Sequence, residues 1–199
     1  GQGDKPSWWR VIGRNKYSVA VDLRTEEGQQ LARDLIGEAD VLVENFRPGA
    51  LEKWNLDPVK LREANPGLIV SRMSGYGQTG PYAQRPGFGL IGEGFGGLRG
   101  IVGEPDRMPS RVGISIGDSL AATYGCMGIL AALHHRNQTG EGQVIDVALY
   151  ESVLQVMESY VADYSASGHK RQRTGAILPK IAPSNVYPCK DGDFLIGGN

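Results

Sequence analysis

At 199 residues the chain has the length of one domain or two small ones, and a globular chain of that size buries roughly 70% of its unfolded surface. Hydrophobic residues make up 40% and charged residues 22%, which excludes a disordered chain. The 21 basic and 22 acidic side chains leave a net charge of −1, and no basic block is long enough for a nucleic-acid footprint. Glycine is the outlier, 29 residues against a usual share of about 7%, yet without the G-X-Y period of collagen. The sequence opens on Gly1 rather than Met and closes on Ile196-Gly197-Gly198-Asn199 within an expected strand, so it reads as an internal piece of a longer chain. Cys126 and Cys189 form no framework and have no CxxC spacing; Cys126, in an apolar helical run, is expected to be a small core residue. No run of about 18 apolar residues and no signal peptide is visible, so the expectation is a reducing, cytoplasmic setting without a membrane.

The first expected strand covers 18–23, Ser-Val-Ala-Val-Asp-Leu. Thr25-Glu26-Glu27 then reads as a helix start, a capping hydroxyl followed by acids. The helix is expected over 26–39, with Leu31, Leu35 and Ile36 on one face. Val41-Leu42-Val43 is a short continuous apolar run, the pattern of a strand buried on both faces. A loop, Glu44-Asn45-Phe46-Arg47-Pro48-Gly49, leads to helical stretches at 50–54 and 58–64 and then to a buried strand at 68–73. Strands alternating with helices at this spacing predict a parallel α/β sheet with crossover helices, whose ligands gather at the carboxyl ends of the strands. Those ends are 44–49 and 74–80, and neither carries a GxGxxG or Walker pattern.

From Gly75 to Gly103 the chain carries 11 glycines in 29 residues. The interleaved Tyr76, Tyr82, Phe88, Leu90, Ile91, Phe95, Leu98 and Ile101 argue for a packed segment with close backbone approach rather than a linker. Asp118 precedes the strongest helical pattern, 119–135, where small residues recur among the apolar ones. A turn-rich connection at 137–142, an alternating strand at 144–149 and a helix at 150–165 follow. A strand pair, Val186-Tyr187 and Phe194-Leu195-Ile196, closes the chain around the turn at 190–193. The basic run His169-Lys170-Arg171-Gln172-Arg173 reads as a solvated loop.

Asp118 has two readings that share one physics. Asp is a favoured N-cap, bonding a free amide of the first turn; a carboxylate at a positive helix end also stays ionised and available as a nucleophile. His134, His135 and His169 have no metal-ligand spacing, and Ser74 and Ser119 have no nucleophile elbow. Glu44 has the chemistry of a base, though a carboxylate at a strand end more often bonds a neighbouring loop amide.

Several blocks in order then carry a resemblance. They are Asn15-Lys16-Tyr17-Ser18-Val19-Ala20-Val21-Asp22-Leu23, Glu44-Asn45-Phe46-Arg47-Pro48-Gly49, Ser74-Gly75-Tyr76-Gly77-Gln78-Thr79-Gly80-Pro81, Gly117-Asp118, Gly128-Ile129-Leu130-Ala131-Ala132-Leu133, Thr139-Gly140-Glu141-Gly142-Gln143 and Asp146-Val147. Together they resemble the family III CoA-transferases, the group of formyl-CoA transferase, carnitine CoA-transferase and the bile-acid-inducible enzymes, over nearly the whole chain. The resemblance implies a Rossmann-like large domain over 1–165, incomplete here, and a linker with the start of a small domain over 166–199. It implies Asp118 as the catalytic aspartate: it attacks an acyl-CoA thioester, forms a mixed anhydride and then an aspartyl-CoA thioester, and passes CoA to an acceptor carboxylic acid. CoA is substrate, and neither a permanent cofactor nor a metal takes part.

The same resemblance places Lys16, Asn45, Phe46 and Lys53 at the CoA; Arg47 and Arg72 are further phosphate candidates only through their closeness in sequence to these loops, and Tyr76, Gly77 and Phe88 are the expected substrate-pocket residues. It also implies interlocked, ring-shaped homodimers and full-length chains roughly twice this one. Two alternatives stand beside it. The first is a 2-methylacyl-CoA racemase, disfavoured because that chemistry needs a His–Asp pair where this sequence has Phe88 and Gly89. The second is a catalytically inert CoA-binding fragment.

Overall fold

Three short strands build a parallel sheet in the computed structural model, which describes residues 6–197; Gly1 and the closing Gly198-Asn199 lie outside the described residues. A first helix, α1 (Ser7–Ile12), precedes α2 (Glu26–Gly37). Thr25 caps α2 through its hydroxyl, which accepts from the Gly28 amide, with Glu26 and Glu27 in the first turn. Strand β1 (Val41–Glu44) is followed by α3 (Ala50–Lys53) and α4 (Pro58–Ala64), the latter started by the Asp57 carboxylate accepting from Val59 N and by Pro58 at the first helical position. Strand β2 (Ile69–Ser74) leads through α5 (Gly89–Phe95), α6 (Leu98–Ile101) and α7 (Ile116–Thr139) to β3 (Val144–Ala148). Helices α8 (Leu149–Gln155) and α9 (Tyr160–Ser167) and the antiparallel hairpin β4 (Ser184–Cys189) and β5 (Gly192–Gly197) complete the order.

The sheet order is β1-β2-β3, with Val41 opposite Ile69, Val70 opposite Val144 and Ser74 opposite Ala148. The α/β expectation therefore holds. The central strand and the residue before it carry the core: Leu68, Ile69 and Val70 are fully buried. Ile36, Leu51, Leu56 and Leu61 pack with Leu68 and Val70 on one side, while Ala121, Val147 and Leu149 pack with Met73 and Ile145 on the other. Burying each large aliphatic side chain stabilises by roughly 1.5–3 kcal/mol.

Helix α7 runs antiparallel to the strands and sets the site. Its end lies at the amino edge of the sheet, where Gly142 N donates to Pro66 O and Arg136 bonds Asp40 and Gly67 O. Its beginning, with Asp118, therefore stands at the carboxyl edge, against the start of α5 that follows the loop after β2.

Several expectations need correction. Residues 18–23 form no strand: a strand needs a partner for its ladder, and none lies beside this segment among the described residues. It ends instead in a turn, in which the Asp22 carboxylate takes the backbone and guanidinium of Arg24 and is held below its usual range by those bonds. Of the apolar face expected on α2 only Ile36 is buried, with Leu31 and Leu35 about half exposed. β1 is an edge strand whose Val43 is exposed, not a strand covered on both faces.

The helix expected at 150–165 is two helices, broken where Glu158 takes a left-handed φ of 54° next to the buried Met157. Cys126 is exposed rather than a core residue. The basic run is tethered: Arg171 pairs with Asp163, and Arg173 donates to the carbonyls of Glu104, Pro105 and Arg107. Counting consecutive apolar residues also missed that α7, interrupted by small polar residues, is by length and composition apolar enough to cross a membrane.

Candidate active site

Asp118 is the third residue of α7, not its cap; the N-cap is Ser115, whose carbonyl accepts from Ser119 N. Ile116 and Gly117 take helical geometry ahead of it, which starts the helix three residues before the expected position. The carboxylate still lies in the first turn of a 24-residue helix, where unpaired amides and the helix dipole favour negative charge. It is exposed and takes no hydrogen bond or ion pair among the described residues, so the anion is open to a reactant.

The close backbone approach expected of the glycine-rich segment occurs here. Gly117 sits so near the start of α5 that a Cβ on it would lie 2.9 Å from Gly89 O. A Cβ on Gly89 would in turn meet the Asp118 carboxylate, 2.9 Å from its Cγ. Glycine at 89 is thus what lets the carboxylate lie flat against the neighbouring backbone. A second crossing lies alongside: a Cβ on Gly75 would be 2.6 Å from Gly87 Cα.

Of the expected pocket residues, Tyr76 belongs to a cluster of four rings, with centroids 5.5 Å from Tyr82, 5.4 Å from Phe95 and 6.0 Å from Tyr150. The Arg85 guanidinium lies 4.2 Å over the Tyr82 ring. Burial, then the hydrogen bond its hydroxyl donates to Glu151, pushes the Tyr150 phenol up. Gly77 is buried against the Asp146 carboxylate, which accepts from Gln78 N at 2.8 Å and so fixes the loop after β2. Phe88 caps α5 from outside and is 73% exposed.

The loop after β1 is fixed by a buried charge network. Arg72 Nε donates to Glu44 Oε1 at 2.7 Å and Arg72 Nη1 to Glu52 Oε1 at 2.8 Å, while Glu44 Oε2 accepts from Phe46 N at 2.8 Å. Burial works against the Arg72 charge, but the bonds to Glu52 and Glu44 outweigh it and raise its pKa. Burial likewise opposes ionised Glu52, yet Arg72 holds that carboxyl below its usual range. Arg72 is fully engaged inside the protein, which removes it as a phosphate ligand, and Glu44 bonds a loop amide rather than serving as a free base. Within this unit Asn45, Arg47 and Lys53 are exposed, and Phe46, 42% exposed, meets Trp54 edge to face at 5.0 Å. Lys16 stands outside both groups; its Nζ donates to Ile12 O at the end of α1.

Sequence reading passed over Asp146 as the anchor of Gln78, and over Glu93 and Arg99. Glu93 had a signal: it is the sole acid between Gly75 and Gly103. It is 1% exposed, with neither carboxylate oxygen hydrogen-bonded. Among the described residues no cluster of three or more His, Cys, Asp or Glu could hold a metal.

The model of CoA-transferase family III matches residues 1–199. The chain is 56% identical over 193 residues to the succinyl-CoA–D-citramalate CoA-transferase of Chloroflexus aurantiacus, covering 96% of this chain and 48% of the relative. It is 43% identical over 188 residues to the alpha subunit of the succinyl-CoA–L-malate CoA-transferase of the same organism, covering 94% and 44%. A crystal structure of a CAIB/BAIF family protein from Brucella suis superposes with a TM-score of 0.85 at 42% identity, covering 92% of this chain and 48% of the other. The chain thus spans about half the length of the curated relatives it matches. It belongs to CoA-transferase family III.

Proposed function

We propose that the protein moves CoA from an acyl-CoA donor to a carboxylic acid with Asp118 as nucleophile. The observation that carries this reading is the unpaired, exposed carboxylate in the first turn of α7, pressed against Gly89. Asp118 attacks the thioester carbonyl, the C–S bond breaks, and CoA leaves as thiolate, giving a mixed anhydride. The thiolate attacks the aspartyl carbonyl of that anhydride and releases the donor acid, leaving an aspartyl-CoA thioester. The acceptor carboxylate attacks this thioester and expels the thiolate; the thiolate then takes the acceptor acyl group and frees Asp118. First-turn amides of α7, which have no acceptor inside the helix, face the oxyanions that form.

Lys16, Asn45, Phe46 and Lys53 are proposed to contact CoA, the lysines as point charges on its phosphates and Phe46 as an apolar surface. Tyr76, Gly77 and Phe88 are proposed to line the acyl pocket. The substrate class we propose is the short dicarboxylic acids, because the relatives' names specify succinyl, citramalate and malate. Residues 1–165 are proposed as the CoA-binding and catalytic part, with 166–199 leading into a small domain. Pairing of two subunits as an interlocked dimer belongs to the same reading; one relative is itself named as a subunit of a larger enzyme. Racemisation has less support, since Phe88 and Gly89 exchange no proton beside Asp118.

The test uses the protein expressed from its complete coding sequence. Asp118→Ala lowers transfer by about six orders of magnitude, the scale seen when a covalent nucleophile is removed. Hydroxylamine added during turnover modifies Asp118, read as a mass shift on its peptide. Transfer surviving in Asp118→Ala would falsify the assignment. Calorimetric CoA binding to the 199-residue chain, with no transfer by the complete protein, would favour the inert binding reading instead.

A further inference from the structure

The transfer steps leave Glu93 and Arg99 unused, and the pair is bonded unlike any other buried charge described above. Glu93 is 1% exposed, and neither oxygen has a hydrogen-bond partner. Its ion-pair partner, Arg99, holds Nε 3.9 Å from Oε2, beyond hydrogen-bond length. The Arg99 side chain is 25% exposed, while its Nη1 is buried and has no acceptor. Buried donors and carboxylates are almost always satisfied, and a buried ion pair repays its desolvation only when its remaining hydrogen bonds are made. The pair calls for a third group that accepts from Arg99.

Position indicates what that group is. Glu93 lies four residues after Gly89 on α5, one turn and about 6 Å along the axis, and Gly89 is the residue against which Asp118 rests. Arg99 follows on α6. An extended diacid of four or five carbons is comparable in length to that one helical turn. A guanidinium backed by a buried carboxylate is a fixed fork suited to such an oxygen pair.

We propose that Arg99, oriented by Glu93, binds the non-reacting carboxylate of a dicarboxylic substrate and so determines specificity for diacids over monoacids. The proposal rests on the CoA-transfer reading. In the protein expressed from its complete coding sequence, succinyl-CoA and butyryl-CoA are compared as donors, since they differ in the second carboxylate. Arg99→Gln lowers kcat/KM for succinyl-CoA on the order of 10²-fold, the loss expected for a charged hydrogen bond, and leaves that for butyryl-CoA unchanged. Glu93→Gln loses less with succinyl-CoA, about 10-fold, because the cation stays but is no longer aimed.

Equal losses with both donors would make Arg99 a structural residue and overturn the proposal, as would no loss with either. Calorimetric titration of succinate and butyrate reads the same discrimination without turnover. Succinate binding that depends on Arg99, in a protein that transfers nothing, defeats the transfer reading alone. Transfer with succinate binding indifferent to Arg99 defeats this proposal alone.

Discussion

Two buried carboxylates at the carboxyl side of the sheet are handled in opposite ways. Glu44, 4% exposed, has Arg72 on one oxygen and the Phe46 amide on the other. Glu93, 1% exposed, has neither oxygen bonded and a guanidinium held at a distance. The first network is closed: every strong partner comes from the chain, and its product is a fixed loop at Asn45–Gly49 on which a ligand can be laid. The second is open, and it lies on the same helix face that presents Gly89 to Asp118. A charge that builds the scaffold is satisfied before substrate arrives, whereas one that reads substrate is left incomplete.

Removing the cation separates the two. Arg72→Met strands Glu44 without its ion pair in the interior and is expected to destabilise by about 3–5 kcal/mol, the cost of leaving a buried charge unpaired, measured by denaturant unfolding. Arg99→Met, whose ion pair is long and partly exposed, costs far less stability. Similar losses from both would erase the distinction between closed and open networks. Next in size is Gly89→Ala. The added methyl displaces the Asp118 carboxylate, and a misplacement on that scale costs about 10²-fold in kcat while the unfolding midpoint changes little. Full activity in Gly89→Ala would show that Asp118 reacts away from that backbone.

The smallest effect is one of pH. Arg72 holds the Glu52 carboxyl below its usual range, so ionised Glu52 contributes stability that is fully present above the unfolded carboxyl pKa. That contribution is lost as pH falls through the lower, folded value. Thermal unfolding from neutral to acidic pH should therefore show wild type converging on Glu52→Gln at the acid end. A gap between the two that is constant across that window would remove Glu52 from the network.

Much of this was legible in residue order, and the failures share a cause. The Thr25 cap, the start of α4 at Asp57-Pro58, the central strand and the closing hairpin are local patterns, and local patterns fix them. The segment at 18–23 has strand-forming residues, but pairing is a property of two segments, and among the described residues no partner lies beside it. The role of Arg72 was misread because its partners Glu44 and Glu52 stand 28 and 20 residues away. Gly89 was legible as a departure from the racemases' His–Asp pair but not as the seat of Asp118, since that contact joins segments 29 positions apart. Glu93 stood out only by being the sole acid in a glycine-rich stretch, a signal of composition that carries no geometry.

Helix α7 has a mechanical consequence. From Asp118 to Arg136 it is a rod of roughly 27 Å, clamped at the far end by the bonds of Arg136 to Asp40 and Gly67. A small rotation at that clamp is delivered to the Asp118 carboxylate with little loss, because the rod between is hydrogen-bonded throughout. The amino edge of the sheet thereby acts as the fulcrum for the carboxylate we propose as the nucleophile.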